Sequence, residues 1–243
     1  MAQTLFKGYM RRDFELAGHT GSVIFPEKNA VCKPWIWRAE FLGDFDKADM
    51  ELVRLGWHLV YYKISDMYGC PEAVRLMNQF HEFLIAEYGL KNKTVLFGFS
   101  RGGLYAVNYA VAYPEKVQSL YLDAPVINMQ YWPRQDSSEK NWNECMKWYG
   151  FDEKGSEEYS KSQLDRASVL AAHKIPILIV AGDADSVIPF EKHAKPFIDK
   201  YLETHCDIKT ILKKGCAHHP HSLEDVEPII EFVTKNNTEV DYG

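Results

Sequence analysis

The pentapeptide Gly98-Phe99-Ser100-Arg101-Gly102 sets a serine between two glycines, each two residues away. An almost wholly apolar run over 94–99 precedes it, and a helical pattern over 102–113 follows. A serine forced into a sharp strand-to-helix turn presents its hydroxyl outward, and glycines on both sides let the backbones approach. The first amides of the helix then point toward negative charge developing beside the hydroxyl. Such a serine can attack an acyl carbon if a base takes its proton, because a hydroxyl is a weak nucleophile at neutral pH. The plainer role of the same pattern is a glycine-rich turn with a helix-capping serine.

Two later turns carry candidate partners. Gly182-Asp183-Ala184-Asp185-Ser186-Val187-Ile188-Pro189 follows an apolar run over 176–181, and Lys214-Gly215-Cys216-Ala217-His218-His219-Pro220-His221 follows a strand pattern over 207–212. Both lie just past the carboxyl ends of their strands, where sites gather in open parallel sheets. The order serine, acid, histidine suits a triad in which imidazole takes the serine proton and carboxylate holds the imidazole. Asp183 and Asp185 are also good turn residues, bonding their own backbone. Either His218 or His219 can serve as base, with His221 lining or supporting the loop. Three histidines within four residues could ligate a metal. No H-E-x-x-H helix and no carboxylate at ligand spacing accompanies them, so no metal is expected. Neither a G-x-G-x-x-G after the first strand nor a Walker lysine is present, so no cofactor is expected either.

The elements that must position these turns follow from periodicity. Strands are expected over 8–16 and 22–26, around a reversal at 17–21, then over 35–41 and 58–64, with a helix over 46–55 ended by Gly56. Pro71 opens a long helix with Val74, Met77, Phe80, Leu84 and Ile85 on one face, closed by Gly89. Buried strands are expected over 94–99, 117–122 and 176–181, and helices over 102–113, 191–205 and 224–234. Strands alternating with helices imply βαβ units and a mainly parallel sheet in one α/β domain over 1–243. The stretch 128–174 breaks this rhythm. It is polar, rich in aromatics, and reads as an insertion.

Bulk properties narrow the partners. A chain of 243 residues can bury a core without metal or disulfide. A formal net charge of −6 with no basic run argues against nucleic acid. Five cysteines with no C-x-x-C pair point to free thiols and a reducing, cytoplasmic compartment. The residues given include no leader-like or membrane-spanning apolar stretch, so no membrane partner is expected.

With these turns in register, the chain resembles the α/β-hydrolase superfamily of serine esterases and lipases, which carries G-x-x-D-x-x-V-P at its acid turn and G-x-G-H at its histidine turn. The match selects Asp185 as acid, with Pro189 one residue late, and His218 as base, with Ala217 for the usual glycine. The resemblance runs from the strand at Trp35 to the final helix. It implies an eight-stranded, mainly parallel sheet flanked by helices, with 128–174 as a small cap between strands 6 and 7. It also implies cleavage of a carboxylic ester through a Ser100 acyl-enzyme. The oxyanion hole would use the Arg101 amide and a second donor at Phe41 or Glu40, because Ala39-Glu40 replaces the His-Gly of the superfamily's P-x-x-x-x-H-G-x-x-G. The Arg101 side chain either reaches a substrate carboxylate or pairs with Glu40 or Asp66. Glucuronoyl esterases are similar at G-x-S-R-x-G but follow it with lysine, where this chain has Leu104. In the cap, Met129, Trp132 and Trp142 are candidates for substrate contact, although such side chains equally suit packing. Lys33-Pro34-Trp35-Ile36-Trp37-Arg38-Ala39 and His218-His219-Pro220-His221-Ser222-Leu223 resemble a bacterial group of uncharacterised hydrolases often encoded beside carbohydrate esterases. The implied substrate is a small-molecule or glycan ester. The rivals are a peptidase with the same triad and a non-catalytic binding protein on the same fold. An aspartate nucleophile, as in dehalogenases, is disfavoured by Ser100.

Overall fold

The apolar and alternating runs form one nine-stranded sheet in a computed structural model that describes residues 2–135, 137–163, 165–206 and 208–237. The strands are β1 (Ala2–Phe6), β2 (Tyr9–Leu16), β3 (His19–Ile24), β4 (Trp35–Arg38), β5 (His58–Tyr62), β6 (Thr94–Phe99), β7 (Val117–Asp123), β8 (Ile177–Gly182) and β9 (Lys209–Lys213). Their spatial order is β1-β2-β3-β5-β4-β6-β7-β8-β9. The first three strands form an antiparallel meander that joins β5 antiparallel. From β5 to β9 all neighbours are parallel.

The eight strands implied by resemblance are corrected to nine. The addition is β1, an edge strand whose Leu5 is 75% exposed. An edge strand can pair through its backbone while burying few side chains, so no hydrophobic period marks it. The strand expected over 207–212 is observed as β9; Asp207 lies outside the described residues.

The helices are α1 (Lys47–Arg54), α2 (Pro71–Tyr88), α3 (Gly102–Ala112), α4 (Glu139–Tyr149), α5 (Glu153–Gln163), α6 (Asp165–Ala172), α7 (Ala194–Leu202) and α8 (Glu227–Lys235). Two cores cover the two faces of the sheet. One joins Phe80 of α2, Leu104 of α3, Leu170 of α6 and Phe197 of α7 to Leu96 and Leu122. The other joins Leu52 of α1 and Ile229 of α8 to Val95, Phe97 and Phe99. Successive residues of β6 thus enter opposite cores, which is why its sequence is almost wholly apolar. Pro71 stands at the first turn of α2, and Gly89 closes that helix in the left-handed conformation at φ 62°.

The insertion between β7 and β8 holds α4, α5 and α6. Its end is part of the body, since Ala167, Leu170 and Ala171 of α6 are buried in the larger core. Cys70, Cys145, Cys206 and Cys216 are free thiols. Among the described residues, no helix is long and apolar enough to cross a membrane.

Candidate active site

The turn after β6 holds Ser100 at φ 48°, a left-handed conformation that costs a non-glycine residue about 1 kcal/mol or more. Surrounding hydrogen bonds fix it there. The Ser100 N–H donates to the Asp123 carbonyl at 2.9 Å, while the Ser100 carbonyl accepts from Gly103 at 3.0 Å and Val126 at 2.8 Å. The glycines are there for room. A Cβ on Gly98 would stand 2.9 Å from Leu122 Cδ2, and one on Gly103 would stand 2.7 Å from Pro125 Cβ.

Ser100, His218 and Asp185 come together across three strand ends. Ser100 Oγ lies 3.1 Å from His218 Nε2, and His218 Nδ1 lies 2.7 Å from Asp185 Oδ2. A carboxylate can only accept here, so Nδ1 carries the proton and Nε2 presents its lone pair to the serine hydroxyl. Asp185 Oδ1 accepts the backbone N–H groups of Val187 and Ile188, both at 2.8 Å. Burial pushes the Asp185 carboxyl upward, but the His218 hydrogen bond and these amides outweigh it and leave the pKa lowered. Asp183 serves differently. Its Oδ1 accepts from Gly215 N at 2.6 Å, tying the acid turn to the histidine turn. His219 is exposed and stacks on Phe45, with ring centroids 5.5 Å apart.

A second Asp–His pair stands beside the first. His221 Nδ1 donates to Asp123 Oδ1 at 2.6 Å, and Asp123 Oδ2 accepts from Ser222 N at 2.8 Å and the Tyr121 hydroxyl at 2.9 Å. Asp123 is 1% exposed and fully hydrogen-bonded. It ties the loop carrying His218 to the end of β7. Sequence reasoning missed Asp123, although its place at the carboxyl end of a buried strand was the available signal.

Ser100 and His218 open onto a cavity of about 230 Å³ whose walls include Phe41, Phe45, Phe99 and His221. A groove of about 380 Å³ shares Phe45 and His221 with it and continues past Lys47 and Leu223. The amides of Arg101 and Phe41 donate to no acceptor among the described residues. Phe41 lines the cavity and holds φ 59°, and Arg101 directly follows Ser100 in the turn.

Glu40, the alternative donor, does not line the cavity. Its side chain packs against Gly102, 3.3 Å from where a Cβ there would stand, and its Oε2 accepts Arg101 Nε at 3.1 Å and Nη2 at 3.0 Å. Arg101 Nη1 donates to Asp66 at 2.6 Å. The guanidinium is therefore engaged by two carboxylates. Burial raises the Glu40 pKa even though Arg101 opposes it.

The three side chains singled out for substrate contact lie elsewhere. Met129 and Trp142 are buried in the larger core, with the Arg134 guanidinium 5.7 Å from the Trp142 ring, and Trp132 packs on Tyr68 at 5.9 Å. None lines the cavity at Ser100. Aromatic area is used here for attaching the insertion to the body.

Sheet order, crossover helices and the strained turn after β6 together define the α/β-hydrolase fold. The family model described as "alpha/beta hydrolase fold" matches residues 58–146, a span that includes the serine turn. No curated protein sequence matches the chain. Among solved structures, the chain is similar to a puromycin-hydrolyzing peptidase of Mycobacterium tuberculosis, at 13% identity and TM-score 0.69 over 94% of this chain and 38% of that one. It is also similar to an acylaminoacyl peptidase of Pyrococcus horikoshii, at 16% identity and TM-score 0.66 over 87% of this chain and 38% of that one. A protein of Acinetobacter baumannii, provisionally called a lipase, gives 16% identity and TM-score 0.59 over 94% of this chain and 92% of that one. The chain thus spans well under half the length of the two peptidases but nearly all of the third.

Proposed function

We propose that this protein is a serine hydrolase that cleaves a carboxylic ester through an acyl-enzyme. The reading rests on one observation: Ser100 Oγ, His218 and Asp185 form an unbroken hydrogen-bonded line, 3.1 Å and then 2.7 Å, at the wall of a cavity. Ser100 Oγ attacks the acyl carbon while His218 Nε2 takes its proton. The oxyanion is received by the Arg101 and Phe41 amides. His218 then protonates the leaving alcohol oxygen, and Asp185 stabilises the imidazolium between the two transfers. Water, deprotonated by His218, releases the acid and restores Ser100.

A second reading, amide cleavage, draws on the peptidases among the structural neighbours. Both use the same triad, so the substrate separates them. The carbohydrate-ester expectation gains no support from Met129, Trp132 or Trp142, which do not line the cavity.

The test is fluorophosphonate labelling, followed by matched ester and anilide substrates sharing one acyl group. Wild-type protein is expected to label at Ser100 and to turn over the ester faster. Ser100→Ala is expected to abolish labelling and lower turnover by about 10⁶-fold. Full ester turnover in Ser100→Ala would sink the proposal, and preferential cleavage of the anilide would favour the peptidase reading.

A further inference from the structure

The proton relay uses one imidazole, yet three stand together beside it. One potential ligand nitrogen from each of His218, His219 and His221 lies within 4.8 Å of the other two. Two of these rings are already prepared as ligands. His218 Nδ1–H and His221 Nδ1–H each donate to a buried carboxylate, Asp185 at 2.7 Å and Asp123 at 2.6 Å. A carboxylate that fixes Nδ1–H leaves Nε2 as a bare lone pair, and this is how protein sites orient imidazole and raise its basicity toward metal. His221 Nε2 has no hydrogen-bond partner among the described residues and is not sealed from solvent. His219 is exposed and, among the described residues, its side chain is held by ring packing alone, so its ring can turn.

We propose that His218, His219 and His221 together bind one divalent transition-metal ion of the zinc type, and that the ion acts as a reversible inhibitor. Imidazole donors suit zinc, copper and nickel, whereas magnesium and calcium take oxygen ligands. In a tetrahedral site with Zn–N bonds near 2.1 Å, ligand nitrogens stand about 3.4 Å apart, so the 4.8 Å spread must close by about 1.4 Å. The exposed ring of His219 is free to take up its share of that movement, and the rest falls to His218 and His221 on the same loop. The fourth position falls to water or to Ser100 Oγ, which is 3.1 Å from His218 Nε2. Inhibition follows because the ion occupies the lone pair that would accept the Ser100 proton. That half of the proposal rests on the serine-hydrolase reading; binding itself does not.

The experiment is calorimetric titration of zinc chloride into EDTA-treated, dialysed Ser100→Ala protein, which keeps all three rings. One ion per chain at low-micromolar zinc is expected, with no heat from magnesium. His219→Ala and His221→Ala, made in the same background, are each expected to weaken binding by about tenfold or more. Cys216→Ser, on the same loop, is expected to bind as before, which separates imidazole from thiolate ligation. With wild-type protein, zinc is expected to stop ester turnover at the concentrations that fill the site, and EDTA to restore it. Absence of saturable binding, or undiminished affinity in both histidine variants, would overturn the site. Zinc binding by a protein that hydrolyses nothing would leave the site standing and remove the proposed function. Undiminished turnover at full zinc occupancy would remove the inhibitory role.

Discussion

Replacing Asp185 by asparagine keeps the shape of the side chain and removes its charge. The structure dictates how the amide must lie. Oδ1 receives two backbone N–H groups, from Val187 and Ile188 at 2.8 Å each, and only the amide oxygen of the variant can accept both. Its NH₂ group is then turned toward His218 Nδ1, which stands 2.7 Å from Oδ2 in the wild type. A donor facing Nδ1 demands that Nδ1 be unprotonated, so the imidazole proton moves to Nε2, beside Ser100. In that tautomer His218 cannot take the serine proton. The same wrong tautomer in a serine triad costs about 10⁴ in kcat, or about 5.4 kcal/mol at 1.36 kcal/mol per tenfold. Stability changes little, on the order of 1 kcal/mol, because every backbone donor keeps an acceptor. The assay is the single-turnover rate on an activated aryl ester, from neutral to alkaline pH, with a urea melt to confirm folding. A folded Asp185→Asn protein within tenfold of wild type would refute the assignment of Asp185.

Two further outcomes concern stability. Burial pushes the His58 and His81 imidazoles down to about 4, each with Nδ1 buried and unpartnered. Unfolded, each takes a proton near pH 6.5, so stability is complete above that pH and falls as pH drops from about 6.5 to about 4, by up to about 3 kcal/mol per histidine. His81→Gln, which can still donate to the Asn92 carbonyl that His81 Nε2 reaches at 2.9 Å, is expected to flatten the decline of the urea midpoint across that window; an unchanged slope counts against the argument. Arg101→Ala leaves the Glu40 carboxylate buried without its counter-charge and is expected to cost roughly 2–3 kcal/mol, below the full buried-pair penalty because the Arg101 side chain is 23% exposed. The loss should shrink at low pH, where Glu40 is protonated, and a pH-independent loss would contradict it.

The serine turn was legible because its chemistry is local. Ser100 needs φ 48° and flanking glycines, and both requirements fall within five residues. Resemblance, not spacing, separated Asp185 from Asp183; the structure gives them different partners, one an imidazole and the other a backbone amide. The buried strands could be read from composition because both faces of each are covered. β1 could not, since its pairing is a backbone matter. The aromatics of the insertion left two roles open for a related reason: a tryptophan that docks a helix and one that grips a ligand carry the same letter, and here they pack on the body and do not line the cavity. The pairing of Asp123 with His221 spans 98 residues and is invisible to any local pattern.

Asp123 grips the active centre from both sides. Its carbonyl receives the Ser100 amide at 2.9 Å, and its carboxylate anchors His221 and Ser222. A genetic screen scored only by turnover is therefore expected to rank Asp123 among the sensitive positions, although it is buried and does not line the cavity at Ser100. Reading such a map correctly requires a second column, for the attitude of the imidazole loop, because the lesion is one of alignment and not of reactivity.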